Sequence, residues 1–165
     1  FSEVLARYVG RENDISQEIT PMVSLLDKDI YNKIKTIKGT DWTKEFAEEV
    51  YSDVTRHKYF ITNLAKCTQV DARPLPDSVY KEYLELFKQE INIVKPKNIV
   101  LFGNQVSSIV LDEKIAVSQV RKKCFTQKVN GKEYKFYSVF YPVGNGRFNI
   151  DKSIEDIKWI INQNK

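Results

Sequence analysis

The sequence predicts an α/β fold built around a short parallel sheet, and three observations lead to this class. Segments with helical hydrophobic spacing alternate with short β-branched and aromatic runs. In the middle of the chain the order is strand, helix, strand, helix, which is typical of parallel strands joined by crossover helices. A length of 165 residues with 42% hydrophobic residues suffices for one sizeable core. We therefore expect a single domain over residues 1–165.

The first third of the chain is predicted to be mainly helical. From about residue 2 to 37, apolar residues recur three or four positions apart, and the clearest run is Val23, Leu26, Ile30, Ile34 and Ile37. A second helix follows in "TDWTKEFAEEVYSDV". We expect Thr40 or Asp41 as its N-cap, with Phe46 and Val50 on its inner face.

The next segments supply strands and the helices between them. The run "KYFITNL" predicts a short strand, and "PLPDSVYKEYLELFKQEINIV" predicts a long helix capped by Asp77 or Ser78. The residues that step round this helix are Val79, Tyr83, Leu86, Phe87, Glu90, Ile91 and Val94. The run "KPKNIVLFG" predicts a basic turn and a buried strand, and "NQVSSIVL" predicts a helix that begins directly after Gly103.

The last third of the chain predicts a hairpin and a final helix. In "FTQKVNGKEYKFYSVFYP" the pair Asn130-Gly131 stands between two alternating runs, which indicates a two-residue hairpin turn. The segment "IDKSIEDIKWIINQNK" has the pattern of an amphipathic helix. Its expected buried residues are Ile154, Ile157, Trp159 or Ile160, and Ile161.

The loop after the hairpin predicts a binding site. An apolar run continues to Tyr141, and Pro142 with two following glycines prevents its continuation as a strand. Polar side chains suited to a phosphate or a base edge lie in the same loop: Asn145, Arg147 and Asn149. Glycine lets backbone N–H groups approach a ligand, and open α/β folds place sites at the carboxyl ends of their strands. The alternative is a tight turn with solvated polar residues.

Charge and cysteine content restrict the partners and cofactors. A net charge of +4 favours a polyanionic partner, although only modestly. Cys67 and Cys124 lie far apart without a CxxC motif, and His57 is the single histidine, so we expect no metal and no other cofactor. Two thiols in a chain of this size fit a reducing cytosol, and we expect a cytoplasmic protein without membrane contact.

Three sequence pieces, "ITNLAKC", "KPKNIVLFG" and a last strand that ends in Pro142, occur in a recognisable order over roughly residues 59–160. This stretch resembles the uracil-DNA glycosylase superfamily, most closely its bacterial and archaeal family-4-like branch. The resemblance rests on the joint placement of Asn63, Lys66, Cys67, Arg73, Gly103 and Pro142. It implies a three-layer α/β/α domain with a short, mainly parallel sheet, whereas a generic βαβ unit would explain the hydrophobic pattern alone.

The resemblance implies that the protein hydrolyses the N-glycosidic bond of uracil, or of a related deaminated base, after the nucleotide is flipped out of the DNA. Asn63 falls where the family keeps the asparagine that reads uracil. Its amide carbonyl would accept from N3–H and its NH₂ would donate to O4. The alternative is an asparagine that caps the end of a strand. Gly103 would form part of the pocket floor.

Phe1 resembles the aromatic residue that stacks on the base in family members that read Gly-x-Pro-Phe. The first central strand of the family fold is not recognisable in the chain, so it would either stand upstream of residue 1 or be missing, with the N-terminal half built differently. The sequence also departs from the family pattern at Tyr141, which stands where the family has a histidine. Its phenol would be a weaker hydrogen-bond donor to uracil O2, or else a core ring. The cysteines do not match a four-thiolate iron–sulfur cluster, so we expect an iron-free protein.

The resemblance also assigns residues to DNA binding. The loop of Gly144, Asn145, Gly146 and Arg147 would enter the minor groove, with Arg147 on a phosphate or in the vacated base position and Phe148 or Val143 as a wedge. Lys66 and Arg73 are expected near the same edge. The predicted partner is uracil-containing DNA, bound by a monomer. Two alternatives remain: a non-catalytic binding module with this fold, and an unrelated nucleotide-binding domain that uses Gly103 as an anion site.

Overall fold

The computed structural model of the chain describes residues 26–38, 41–67, 75–141 and 148–163. The chain forms two compact units, Phe1–Ile61 and Thr62–Lys165. The prediction of a single domain over residues 1–165 stays a prediction. Among the described residues, no helix has both the length and the apolar character that crossing a membrane requires.

The first unit contains helices α1 (Lys28–Thr36) and α2 (Lys44–Arg56). Their apolar faces form one core, made of Leu26, Ile30, Tyr31, Ile34, Val50 and Val54. The helical prediction is confirmed for these segments, but the predicted N-caps Thr40 and Asp41 are wrong. Thr43 is the N-cap of α2, because its backbone is extended and its hydroxyl accepts a hydrogen bond from the Phe46 N–H at 3.2 Å.

The predicted strand in "KYFITNL" is wrong, because residues 59–63 have no regular secondary structure. The Tyr59 N–H donates a hydrogen bond to the Val54 carbonyl at the end of α2. Phe60 and Ile61 are both exposed, so this run does not bury one face as a strand would. Aromatic and β-branched residues favour a strand only where they pack against a neighbouring strand, and no described strand pairs with this run.

The second unit holds a three-stranded sheet of β1 (Asn98–Phe102), β2 (Cys124–Val129) and β3 (Lys132–Val139), in the order β1-β3-β2. Strand β1 runs parallel to β3, and β2 runs antiparallel to it, so the sheet is mixed. The predicted hairpin turn is confirmed at Asn130 (φ 48°) and Gly131 (φ 82°), because two positive φ values are what a type I′ turn requires.

Five helices of the second unit are described: α3 (Asp77–Glu82), α4 (Leu84–Val94), α5 (Asn104–Leu111), α6 (Val117–Val120) and α7 (Ile150–Asn162). The helix after Gly103 and the final helix are confirmed. The predicted continuous helix is interrupted at Tyr83. Its predicted caps, Asp77 and Ser78, are wrong, since Pro76 is the N-cap and the Asp77 carboxylate instead accepts a hydrogen bond from Gln105 Nε2.

The helices cover both faces of the sheet. On one face α4, α5 and α6 contribute Ile91, Leu111 and Val117 to a core that includes Leu101 and Phe136. On the other face α7 packs Ile160 against Tyr137 and Val139. The predicted α/β/α layering is therefore confirmed for this unit. Of the predicted alternatives Trp159 and Ile160, Ile160 is the buried residue.

Helix α7 is also fixed by charge. Its Asp156 is buried, and the Arg121 guanidinium donates to both oxygens of this carboxylate at 2.9 to 3.1 Å. Arg121 also reaches Glu155, and hydrogen bonding to Asp156 is the main reason that the pKa of Arg121 is raised. Lys122 pairs with Glu155 as well. These contacts hold the last helix against the segment that enters β2.

Candidate active site

The carboxyl ends of β1 and β3 bring Gly103 and Tyr141 together. The two strands are parallel, with Phe102 paired to Val139, so the residues that follow them leave the sheet at the same edge. The Gly103 N–H donates to the Val139 carbonyl at 2.8 Å. A Cβ added to Gly103 would lie 3.1 Å from the Tyr141 Cβ, so glycine is what allows the tyrosine to approach.

Tyr141 is half exposed, at 50%, and a second phenol lies close to it. The pKa of Tyr80 in α3 is raised, first by burial and then by the nearby Tyr141, Cys67 and Asp77. Gln105 holds this helix, because its Nε2 donates to the Leu75 carbonyl at 2.9 Å and to Asp77 Oδ1 at 2.8 Å. Tyr141 at the edge of the sheet and Tyr80 in α3 thus bring two phenol hydroxyls, which can donate hydrogen bonds, to this part of the unit.

The loop of residues 62–67, which we name the Asn63 loop, reaches the same part of the second unit. The thiol of Cys67, at the end of this loop, is exposed. Partial burial is the first cause of the raised pKa of Tyr83, and Cys67 is the next. After burial, Tyr141 and Cys67 both raise the pKa of Tyr80, so both residues lie near this part of α3.

Asn63 itself is exposed, and its side-chain amide makes no hydrogen bond to any residue in the described ranges. Its main-chain carbonyl, in contrast, accepts a hydrogen bond from the Lys66 ammonium. Lys66 also donates to Thr62 Oγ1 and pairs with Glu90 of α4. The backbone at Asn63 is thus held while its amide group is available to a ligand.

Several predicted site residues fall outside the described residues: Phe1, Arg73, Gly144, Asn145, Gly146 and Arg147, together with Pro142. Of those described, Gly103 and Tyr141 are in contact. The Lys66 ammonium donates to groups of the protein rather than standing free at the surface, which weighs against the predicted DNA contact, and that role stays a prediction. Phe148 is 74% exposed, as a wedge would be.

Sequence reasoning missed Tyr80 and the role of Glu90. Glu90 lies four residues after Leu86, on a face of the helix where the other residues are mostly apolar. An acidic residue in that position is the signal that could have been followed, because a half-buried carboxylate needs a partner. Tyr80 had no comparable signal in the sequence.

A second polar cluster lies in the first unit. Ligand atoms of Asp27, Asp53 and His57 lie within 4.8 Å of one another, a spacing that a metal ion could bridge. However, the Arg56 guanidinium pairs with both carboxylates, and the buried Asp53 also accepts a hydrogen bond from the Asp27 N–H at 2.6 Å. These contacts already give both carboxylates a cationic partner, and they join α2 to the start of α1. The expected absence of a metal stays a prediction.

Comparison with known proteins identifies the family of the chain. The model of the uracil DNA glycosylase superfamily matches residues 21–155, which is most of the chain and includes Asn63, Gly103 and Tyr141. No curated protein matches the chain at significant similarity. Together with the three-layer α/β/α unit and the parallel pair β1 and β3, the match shows that this chain belongs to the uracil-DNA glycosylase superfamily.

Proposed function

We propose that this chain excises uracil, or a related deaminated base, from DNA as a monofunctional glycosylase without a metal or other cofactor. Members of the superfamily act on DNA, and the net charge of +4 suits that partner. The single observation that carries the proposal is the state of Asn63: its backbone is tied down by Lys66 and its amide is exposed and unbonded among the described residues.

The amide of Asn63 would read the flipped base. Its carbonyl oxygen accepts from uracil N3–H and its NH₂ donates to O4, while cytosine presents the reverse pattern at these two positions. An asparagine that serves only as a strand cap would be bonded to the backbone. The unbonded amide supports base reading over that alternative.

Tyr141 would assist the departure of the base. Cleavage of the bond between C1′ and N1 leaves negative charge on the uracil ring, and a phenol O–H aimed at O2 stabilises that charge. A neutral phenol cannot supply the positive charge of an imidazolium, so a slower reaction than that of a histidine-bearing site is expected. The half-exposed position of Tyr141 supports a ligand contact over a core ring.

DNA binding is assigned to the loop after β3. Gly144, Asn145, Gly146 and Arg147 would approach the phosphate backbone, with Arg73 from the segment that follows the Asn63 loop. The exposed Phe148 directly after this loop would act as the wedge. We propose that the protein works as a monomer, because one flipped base enters one pocket.

Uracil release from defined oligonucleotides tests the proposal. Single- and double-stranded DNA carrying one uracil is incubated with the protein, and abasic sites are cleaved with alkali and resolved on a gel. Matched oligonucleotides with thymine in the same position are the control. Uracil-dependent cleavage supports the proposed activity, and identical results for the two bases would contradict it.

One observation favours a second candidate, a DNA-binding module without catalysis. Tyr141 replaces the charged donor of the family, and that change removes a large electrostatic contribution to catalysis. Tight binding to uracil-containing DNA with no release of uracil would favour this candidate. The third alternative, an anion site at Gly103, is weakened because the Gly103 N–H already donates to Val139.

A further inference from the structure

The Lys66 ammonium is completely occupied by acceptors of the protein. It donates to Thr62 Oγ1 and to the main-chain carbonyl of Asn63, and it lies 2.8 and 2.9 Å from the two oxygens of Glu90. An ammonium group has three N–H donors, so these acceptors use all of them. The side chains of Lys66 and Glu90 are only 23% and 22% exposed, which limits competition from water.

The Asn63 loop has one buried apolar side chain, Leu64, and little support from its backbone. Its residues have no regular secondary structure, and no main-chain to main-chain hydrogen bond between described residues involves them. A segment paired within a β-sheet would be held by main-chain hydrogen bonds and would not need a side-chain contact to fix its backbone. Here the Lys66 ammonium, together with a longer contact from the Thr62 hydroxyl at 3.5 Å, holds the main-chain carbonyl of Asn63, whose amide faces solvent.

Glu90 connects this loop to a rigid part of the fold. It lies in α4, next to Ile91, which is buried in the core shared with β1 and β3. Phe87 of the same helix packs against that core. The carboxylate is therefore fixed relative to the sheet, and the Thr62 hydroxyl, 3.4 Å from Glu90 Oε1, adds a second contact to the loop.

We propose that Glu90 is a positioning residue for the base-reading amide of Asn63, acting through Lys66. This inference rests on the proposed function. Without the carboxylate, the Lys66 ammonium is left half-buried with no counter-charge and turns towards water, which releases the Asn63 carbonyl. The amide then samples orientations that do not match uracil, and a small misplacement of such a group slows catalysis strongly.

The variant Glu90→Gln removes the charge and keeps the shape. Its matched control is Glu85→Gln in the same helix, where Glu85 makes an exposed ion pair with Lys88. We expect Glu90→Gln to lower kcat for uracil release by about 10-fold with little change in KM, whereas Glu85→Gln leaves both unchanged. If the pair of Lys66 and Glu90 served only stability, Glu90→Gln would lower the melting temperature and leave kcat of the folded enzyme unchanged.

Two further measurements distinguish failure of the positioning role from failure of the proposed glycosylase activity. Amide hydrogen exchange in residues 62–67 needs no activity, and we expect it to be several-fold faster in Glu90→Gln than in Glu85→Gln. In an Asn63→Ala background, Glu90→Gln is expected to cause little further loss of kcat, because the group that it positions is absent. Active wild-type protein with equal kcat in the two glutamine variants would overturn this inference alone. An inactive wild-type protein would overturn the proposed function, and the positioning role with it.

Discussion

Gly103 and Tyr141 are so close that a single methyl group on the glycine would meet the tyrosine, with 3.1 Å between the two Cβ atoms. Gly103 also has φ 87° and ψ 165°, a backbone conformation that is accessible essentially only to glycine. The position of Tyr141 at the edge of the sheet thus depends on the residue that ends the neighbouring strand.

Gly103→Ala is expected to lower the free energy of unfolding by about 1–3 kcal/mol and to slow uracil release, because it combines backbone strain with displacement of Tyr141. Gly131→Ala is the control, since Gly131 also has a positive φ of 82° but nothing lies within 4 Å of an added Cβ. Chemical denaturation and the oligonucleotide assay measure the two effects. Equal activity in both alanine variants would show that Tyr141 is not part of the site.

Tyr141→Phe removes the phenol hydroxyl and keeps the ring. If the hydroxyl donates to the leaving base, kcat is expected to fall by about 10- to 100-fold with the melting temperature nearly unchanged. A core ring that fills space would tolerate the change without loss of activity. Single-turnover assays of uracil release distinguish the two roles.

Elements whose ends are marked by nearby residues in the sequence were predicted correctly, whereas elements that depend on distant partners were not. Strands β1 and β3, helix α5 and the hairpin were predictable because glycine and the Asn130-Gly131 pair mark their ends. The strand in "KYFITNL" was not, because its residue types favour β structure only beside a partner strand. The break at Tyr83 has no proline or glycine to signal it.

The site was less predictable than the fold. Asn63, Gly103 and Tyr141 could be singled out from motifs within short segments. The contact between Lys66 and Glu90 joins residues 24 positions apart, and only the packing of α4 brings them together. The replacement of Thr40 or Asp41 by Thr43 as N-cap shows the same limit on a smaller scale, because several residues in a row could have capped α2.

Arg147→Ala tests the loop after β3. If Arg147 contacts a phosphate, the variant is expected to bind DNA more weakly and to reduce the slope of log affinity against log salt by about 0.9 for duplex DNA. Lys114→Ala, an exposed lysine in the turn after α5, is the control. The alternative is an ion pair with Glu155, although that carboxylate already pairs with Arg121 and Lys122. An unchanged salt slope with slightly lower thermal stability would favour the ion pair.

Glu155 predicts a pH dependence of stability. Its pKa is lowered from 4.5, first by the hydrogen bond from Lys122 and then by that from Arg121. A lowered pKa in the folded protein gives stability that is present above pH 4.5 and is lost as the pH falls through the folded value.

Glu155→Gln is therefore expected to lower the melting temperature at neutral pH, and the difference from the wild type is expected to vanish well below pH 4.5. Glu113→Gln, at an exposed glutamate without an ion pair among the described residues, controls for general charge effects. A difference that persisted unchanged in acid would mean that the Glu155 contacts contribute little to stability.

The central claim, that Asn63 reads uracil in an active glycosylase, is tested most directly by the rate of uracil release from a single-uracil oligonucleotide by wild-type and Asn63→Ala protein. Because the amide makes no described contact within the protein, the variant is expected to keep its melting temperature. Because it leaves polar groups of the buried base unpaired, it is expected to lose about 1–3 kcal/mol of transition-state stabilisation, roughly a 5- to 150-fold lower rate. Asn162→Ala, at an exposed asparagine near the end of α7, is expected to match the wild type. Release at the wild-type rate by Asn63→Ala, or loss of its fold, would contradict the account.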